Sequence, residues 1–227
     1  MNSVLVAVPS MREISLLHPQ FANLDGNTPG IIECERYDMA VCGVGMLDFA
    51  VNLSGLLADR KYVCVLQVGI CGAYPGRGLA VGEVVRVRSE IVGDMGVQEA
   101  DGSFTHWSKM AEGAACYAEN DCGENNRVLP EPLCRLKMVA GLTVNCCTGT
   151  AGLSLDRQAR FGVDVESMEG AALFAVCKRF GVPGFEFRAV SNIVTDRDPS
   201  TWRIPEAMAA LKREVLDNLW VPLTPRS

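Results

Sequence analysis

Residues 62–78 read YVCVLQVGICGAYPGRG. The first part, 62–68, is apolar and rich in valine, the pattern of a strand buried on both faces. From Gly69 to Gly78 the pattern breaks into a glycine-rich loop with Pro75 inside it. Glycine adds no side chain, so such a loop lets backbone come close to a ligand. Many α/β proteins turn a strand into a loop this way, so the loop alone is not diagnostic. It lacks the Gly-x-Gly-x-x-Gly spacing and any helix-opening lysine, which excludes the dinucleotide and P-loop fingerprints.

Working outward, the same alternation recurs. Upstream, 3–9 and 38–44 read as strands, the second ending in Gly43-Val44-Gly45. Helices are expected over Arg12 to Phe21 and Met46 to Asp59. Downstream, 83–92 reads as one strand or a bent pair, and 93–135 is polar and weakly patterned. Residues 138–145 form a strand leading into a loop from Cys146 to Gly152, and Leu153 to Phe161 a helix closed by Gly162. Met168 to Phe180 is apolar almost all round, a buried helix stopped by Gly181 and Pro183. Residues 184–193 are a strand, and Pro205 to Trp220 an amphipathic helix. Strands alternating with helices define an α/β class with a mainly parallel or mixed sheet, and the whole chain, 1–227, reads as one domain. Ligands in such sheets bind beyond the carboxyl ends of strands. That gives five candidate places: 9–13, 43–46, 69–73, 146–150 and 191–198.

Composition narrows the function. Hydrophobic residues make up 48% of 227, enough for a sizeable core, and the formal charge is −6. No basic stripe exists, so neither a nucleic-acid polymer nor an anionic membrane is an expected partner. The opening MNSVLVAVPS reads as a strand rather than a signal peptide, and no apolar run approaches the roughly 20 residues of a membrane helix. Of ten cysteines, Cys146 and Cys147 are adjacent and Cys116 and Cys122 are six apart, with no zinc or redox spacing. Most of the others lie inside apolar strings, such as Cys42, Cys64 and Cys177, and read as small buried hydrophobes in a reducing cytoplasm. His18 and His106 are the only histidines, which argues against a metal centre and against Ser-His or Cys-His catalysis.

In VESMEGAALFAV (165–176), Glu166 and Glu169 border the buried helix. A carboxylate there either stabilises the helix start or serves a site, and spacing leaves both readings open. Met168-Glu169 sets an apolar side chain beside a two-oxygen acceptor, which suits the flat edge and vicinal diol of a ribose.

Three strings occur in order: Val68 to Ala73, Met168-Glu169-Gly170-Ala171-Ala172, and Arg188-Ala189-Val190-Ser191-Asn192. Together they resemble the purine nucleoside phosphorylase and nucleosidase superfamily. GDMGVQEADGSF (93–104) and SNIVTDRDPSTW (191–202) resemble its futalosine hydrolase branch. The resemblance covers nearly the whole chain and is weakest at 105–135. It implies a phosphorylase/hydrolase-like three-layer fold, with a twisted, partly barrel-like mixed β-sheet flanked by helices. It further implies a cytoplasmic homodimer or higher homo-oligomer, a purine nucleoside as the small-molecule partner, and no cofactor or metal. The activity implied is cleavage of futalosine to hypoxanthine in menaquinone biosynthesis.

The resemblance also implies roles. Glu13 would activate water, although without it Glu13 looks like a first-turn helix carboxylate. Glu169 would bind the ribose hydroxyls, Met168 would pack on the sugar, and Ile70, Cys71, Gly72, Gly149 and Thr150 would line the substrate. Gln67 and Ile70 stand where the phosphorylases carry an arginine and a serine for phosphate. Neither supplies charge-assisted hydrogen bonds, so water is the implied nucleophile. Asn192 replaces the aspartate of adenosine-type nucleosidases. Its N–H suits O6 of a 6-oxopurine and its carbonyl a protonated N7. Asp196 and Asp198 are near but unassigned. Arg197, Trp202 and Arg203 fall in the segment that caps the site in relatives, and are candidates for a carboxylated 5′ tail. Phe104 and Trp107 fall where related dimers meet. Met46 replaces a lysine common in relatives.

Four other readings compete. A methylthioadenosine or S-adenosylhomocysteine nucleosidase is opposed by Asn192, and a phosphorylase by Gln67 and Ile70. A non-catalytic purine-binding sensor is opposed by the presence of both Glu13 and Glu169. A dinucleotide-binding module lacks its glycine fingerprint.

Overall fold

The computed structural model describes residues 3–21, 31–111, 115–119 and 129–219. The strands are β1 (Ser3–Val8), β2 (Ile31–Glu33), β3 (Asp38–Val41), β4 (Tyr62–Ala73), β5 (Val84–Val92), β6 (Gly96–Gln98), β7 (Phe104–His106), β8 (Cys116–Ala118), β9 (Lys137–Thr143), β10 (Val165–Ser167) and β11 (Gly184–Ile193). The helices are α1 (Met11–Leu17), α2 (Met46–Asp59), α3 (Glu131–Cys134), α4 (Ala151–Phe161), α5 (Gly170–Phe180) and α6 (Ile204–Glu214).

The main sheet runs β10-β9-β5-β11-β4-β1-β3-β2, and β10 also pairs with β4. That last pairing closes β4, β11, β5, β9 and β10 into a five-stranded barrel. It is mixed: β4 is parallel to β11, and β5 to β9, while β11–β5 and β10–β4 are antiparallel. Cys71, Val85, Val139, Val165 and Val190, one from each barrel strand, belong to a single buried cluster. α2 and α5 cover one face through Phe49, Leu53, Leu173 and Phe174. α1 and α6 cover the other through Ile14, Leu17, Met208 and Leu211. The expected three layers of an α/β phosphorylase-like fold are therefore present.

Local chemistry sets the boundaries. Ser10 caps α1, and α1 stops at Leu17 because Pro19 disfavours helical backbone at His18. A single 3₁₀ turn, Pro19–Phe21, completes the helix expected to reach Phe21. α4 starts at Ala151, capped by the Thr150 side chain, and ends on left-handed Gly162. α6 ends at Glu214 and is followed by a 3₁₀ turn, Leu216–Asn218; the expected end at Trp220 lies outside the described residues, as does Cys122.

Two expectations are corrected. The loop expected from Gly69 is strand as far as Ala73, because Gly72 and Ala73 pair with Glu166 and Val165 while β11 pairs along the other edge. The helix expected from Met168 begins at Gly170, because 165–167 is the short strand that closes the barrel. Residues 83–92 resolve to one strand with a register shift between Val87 and Ser89. The weakly patterned region contains the β6–β7 hairpin, β8 and α3.

Glu166 settles into the frame of the fold. Its Oε2 accepts from Tyr74 Oη at 2.8 Å, Thr148 Oγ1 at 2.6 Å and Arg157 Nη1 at 2.9 Å, and Oε1 accepts from the Thr148 N–H at 2.8 Å. Arg157 Nη2 also donates to the Cys146 carbonyl at 3.0 Å, fixing the loop after β9. Removing one partner of a buried ion pair leaves an uncompensated charge, at a cost of about 3–5 kcal/mol. Arg157→Met is therefore expected to destabilise the protein by about that amount. A urea unfolding curve checks this; an unchanged midpoint would show the pair to be dispensable.

Candidate active site

Beyond the carboxyl ends of the parallel strands lies a cavity of about 450 Å³. All five places expected from strand ends reach it: Ser10 and Glu13, Val44, Ile70 to Gly72, Cys147 and Thr148, and Ser191 to Arg197.

Glu13 sits in the first turn of α1 and is 7% exposed. Ser10 and Glu13 form a reciprocal cap: the Glu13 N–H donates to Ser10 Oγ at 3.3 Å, and Ser10 Oγ donates to Glu13 Oε2 at 2.8 Å. Glu13 Oε1 accepts from the Ile70 N–H at 3.3 Å. Burial raises its pKa above the usual 4.5, Ser10 and Arg188 oppose that rise, and Glu169 adds to it.

Glu169 is the N-cap residue of α5. Its Oε1 accepts from the Gly45 N–H at 3.0 Å and its Oε2 from Arg188 Nη2 at 3.1 Å. Gly45 has φ +88°, which lets the chain turn its N–H onto this carboxylate as α2 begins. An ionised carboxylate has about four acceptor directions, so each oxygen keeps one free for a hydroxyl.

Arg188, 1% exposed, links these groups. Its Nε donates to Glu186 Oε1 at 2.7 Å and its Nη1 to the Ile70 carbonyl at 3.2 Å. Burial works against its charge, but Glu186 and Glu169 outweigh it and the pKa ends above its ordinary value. A β-carbon at residue 69 would lie 2.8 Å from Arg188 Nη1 and 3.0 Å from Glu13 Oε1. Gly69 is thus required by close approach. Arg188 has no motif of its own in the sequence beyond the string Arg188-Ala189-Val190-Ser191-Asn192. An arginine inside an otherwise apolar strand run was the signal.

Asn192 lines the cavity, and its Oδ1 lies 2.8 Å from Ser191 Oγ, the donor. Its Nδ2 donates to the Ile193 carbonyl at 3.3 Å, which leaves a second N–H free. Met168, Ile70, Cys71, Gly72, Arg197 and Trp202 also line the cavity. Arg197 stacks on Trp202, 6.0 Å from the ring centroid. Burial pushes the Cys71 thiol up to about 12 and the Cys147 thiol to about 11, so neither is a thiolate at neutral pH.

Gly149 and Thr150 do not line the cavity, a correction. The Gly149 carbonyl accepts from the Arg197 N–H at 3.2 Å, and Thr150 is occupied in capping α4. Gln67 is fully buried beside β1 and β11 rather than on the wall. Arg203 pairs with Glu206 on the surface. Phe104 packs on Arg160, and neither it nor Trp107 reaches this cavity. Met46 packs into the core. Asp196 is on the wall but accepts from the Ala151 N–H at 2.8 Å, and Asp198 caps a 3₁₀ turn. Arg12, exposed in the first turn of α1, lines the mouth and was missed for want of any pattern around it. No cluster of metal-binding side chains exists among the described residues.

A family model described as the phosphorylase superfamily matches residues 8–218. The futalosine hydrolase of Thermus thermophilus is 35% identical over 179 residues, covering 76% of this chain and 76% of that protein. Among solved structures, a 5′-methylthioadenosine/S-adenosylhomocysteine nucleosidase from Neisseria meningitidis, in complex with methylthio-immucillin-A, superposes with a TM-score of 0.75 at 20% identity, over 96% of this chain and 99% of that one. A futalosine hydrolase mutant of Helicobacter pylori superposes with a TM-score of 0.76 at 16% identity, over 96% and 98%. These two share the fold. With the superfamily model spanning nearly the whole chain and a futalosine hydrolase 35% identical over three quarters of it, the chain belongs to the phosphorylase superfamily and, within it, to the futalosine hydrolase family.

Proposed function

We propose that this protein hydrolyses the N-glycosidic bond of futalosine, releasing hypoxanthine and dehypoxanthine futalosine for menaquinone biosynthesis. The observation that carries the reading is the pairing of Glu13 and Glu169 around Arg188 at one end of the cavity, in a chain of the futalosine hydrolase family. Glu169 accepts the ribose hydroxyls on its free lone pairs, and Met168 packs on the sugar. Glu13 takes a proton from water as the bond from C1′ to the base breaks. The water oxygen bonds to C1′, the departing base takes a proton from solvent water, and Glu13 returns its proton to solvent. The negative charge of Glu169 also stabilises the cationic sugar.

Water is favoured over phosphate as the nucleophile. Arg188 is already engaged by Glu186 and Glu169, and Ile70 presents only hydrocarbon. At the mouth, Arg12 and Arg197 are the cavity-lining cations with no carboxylate partner among the described residues. Arg197, with the Trp202 ring beneath it, offers the charge and apolar surface that a carboxylated aromatic tail requires. The exposed apolar residues Leu47 and Val51 on α2, and Met95 and Met110 near the β6–β7 hairpin, support a homodimer or higher homo-oligomer. No disulfide forms among the nine described cysteines, which fits a cytoplasmic enzyme. No described helix is long and apolar enough to cross a membrane.

Three outcomes are expected. Base release from futalosine proceeds without phosphate and yields the free sugar; strict phosphate dependence with a sugar 1-phosphate product would contradict hydrolysis. Glu13→Gln lowers turnover by about 10²–10⁴-fold. Because Glu13 must be ionised to act and its pKa is raised, the acid limb of kcat/KM lies above the ordinary carboxylate range. Ser10→Ala removes a hydrogen bond that lowers that pKa, so the limb moves to higher pH; a limb that stays put or moves down would place the base elsewhere.

A further outcome concerns the base. Asn192→Asp sets a carboxylate against O6, and an unsatisfied buried polar group costs about 1–3 kcal/mol, roughly 5- to 150-fold in rate. The wild type is expected to prefer futalosine to the 6-amino analogue aminodeoxyfutalosine, and the variant to reduce or reverse that preference. Measuring kcat/KM for both nucleosides decides it. A wild-type preference for the 6-amino base would favour an adenine nucleosidase instead.

A further inference from the structure

Two carboxyl groups lie behind the cavity wall, and the mechanism above does not use them. Glu90 on β5 is 1% exposed and Glu186 on β11 is 0% exposed. Each has one engaged oxygen. Glu90 Oε2 accepts from Thr143 Oγ1 at 2.8 Å, and Glu186 Oε1 accepts from Arg188 Nε at 2.7 Å. The other oxygens, Glu90 Oε1 and Glu186 Oε2, meet no donor among the described residues. Both crowd the same glycine: a β-carbon at Gly170 would collide with Glu186 and lie 2.6 Å from Glu90 Oε1. A β-carbon at Gly141 would collide with Glu90 as well. Two glycines thus make the space in which the two carboxyls contact each other.

Two ionised carboxylates in contact at this depth would repel, whereas one proton between them makes a hydrogen bond. The surroundings say which group holds it. From β11, Arg188 is bonded to Glu186 and not to Glu90. From β9, Thr143 donates to Glu90. Glu169 at the start of α5 adds negative charge near Glu186, and Cys71 on β4 is a neutral thiol. Burial, reinforced by Glu186, drives Glu90 well above the carboxylate range; burial also raises Glu186, but Arg188 opposes it.

We propose that Glu90 is a positioning residue: it carries the proton of this pair and donates it to Glu186 Oε2, so that Glu186 remains the anion that aims Arg188 at the Ile70 carbonyl and at Glu169. The same side chain steadies α5. The Ala171 N–H donates to Thr143 Oγ1 at 2.8 Å, and Thr143 in turn donates to Glu90, two residues from the ribose-binding Glu169. The inference rests on the reading of Glu169 and Arg188 as parts of the active site, but not on which nucleoside is cleaved.

The test is a pH profile of kcat, with whichever purine nucleoside the enzyme cleaves, together with infrared spectroscopy of the protein alone. Wild type is expected to lose activity on an alkaline limb as Glu90 ionises. Glu90→Gln supplies a permanent N–H donor while its carbonyl still accepts from Thr143. It should keep most of the neutral-pH kcat and abolish that limb. Glu90→Leu supplies no donor and should lower kcat by about 10²-fold, the effect of a misplaced catalytic group. Infrared spectra should show a protonated-carboxyl band at neutral pH in wild type that is missing in Glu90→Gln. An unchanged alkaline limb in Glu90→Gln, or a folded Glu90→Gln as impaired as Glu90→Leu, would overturn the proposal. So would the absence of the band from wild type, whatever substrate the enzyme proves to use.

Discussion

The guanidinium of Arg188 is the interaction on which the site depends. A charge taken fully out of water is tolerated only when it is paired and hydrogen-bonded, and Arg188 meets both conditions within its own fold. Glu186 holds its Nε, Glu169 one terminal nitrogen and the Ile70 carbonyl the other. The three partners come from β11, the start of α5 and β4. The guanidinium is planar and its donors point in fixed directions, so it sets the relative positions of those elements as well as their charges. A lysine would supply the charge without the geometry.

From that anchor the two cavity carboxylates receive different surroundings. Glu169 bears directly on a cation and a backbone N–H, the environment of a fixed acceptor. Glu13 has a hydroxyl, a single long N–H contact and deep burial, and its proton affinity is raised accordingly. One arginine thus separates a group suited to holding hydroxyls from a group suited to taking a proton. Gly69 is what allows Arg188 and Glu13 to approach the same stretch of β4.

How much of this was legible in the sequence follows the range of the interactions. Strands and helices with strong local patterns were readable, as was the convergence of strand ends on one place. The residues 165–167 were not readable as a strand, because a three-residue strand exists only through its pairing with β4 and β9. For the same reason β4 runs five residues past its expected end at Val68, on to Ala73. Glu13 shows why resemblance mattered: its spacing from Ser10 describes a helix cap, which it also is. Glu166 and Glu169 looked equivalent by spacing, and only the positions of Arg157 and Arg188 tell them apart. Gly149 and Thr150 lie in the right loop, but a loop offers the cavity only some of its side chains, here those of Cys147 and Thr148.

The charge balance also bears on residue 192. Glu13, Glu169, Glu186 and Glu90 all lie about one buried arginine. Glu169 and Glu186 bond the arginine directly, and burial pushes Glu13 and Glu90 toward their protonated forms. A further carboxylate at 192 would add negative charge to a cavity wall that already carries Glu13 and Glu169. An amide adds donors and an acceptor without adding to that imbalance. Asn192 is held by Ser191 and by the Ile193 carbonyl, with one N–H left for the cavity. Its neutrality therefore leaves the proton affinities of Glu13 and of the Glu90–Glu186 pair to burial and to the neighbours they already have.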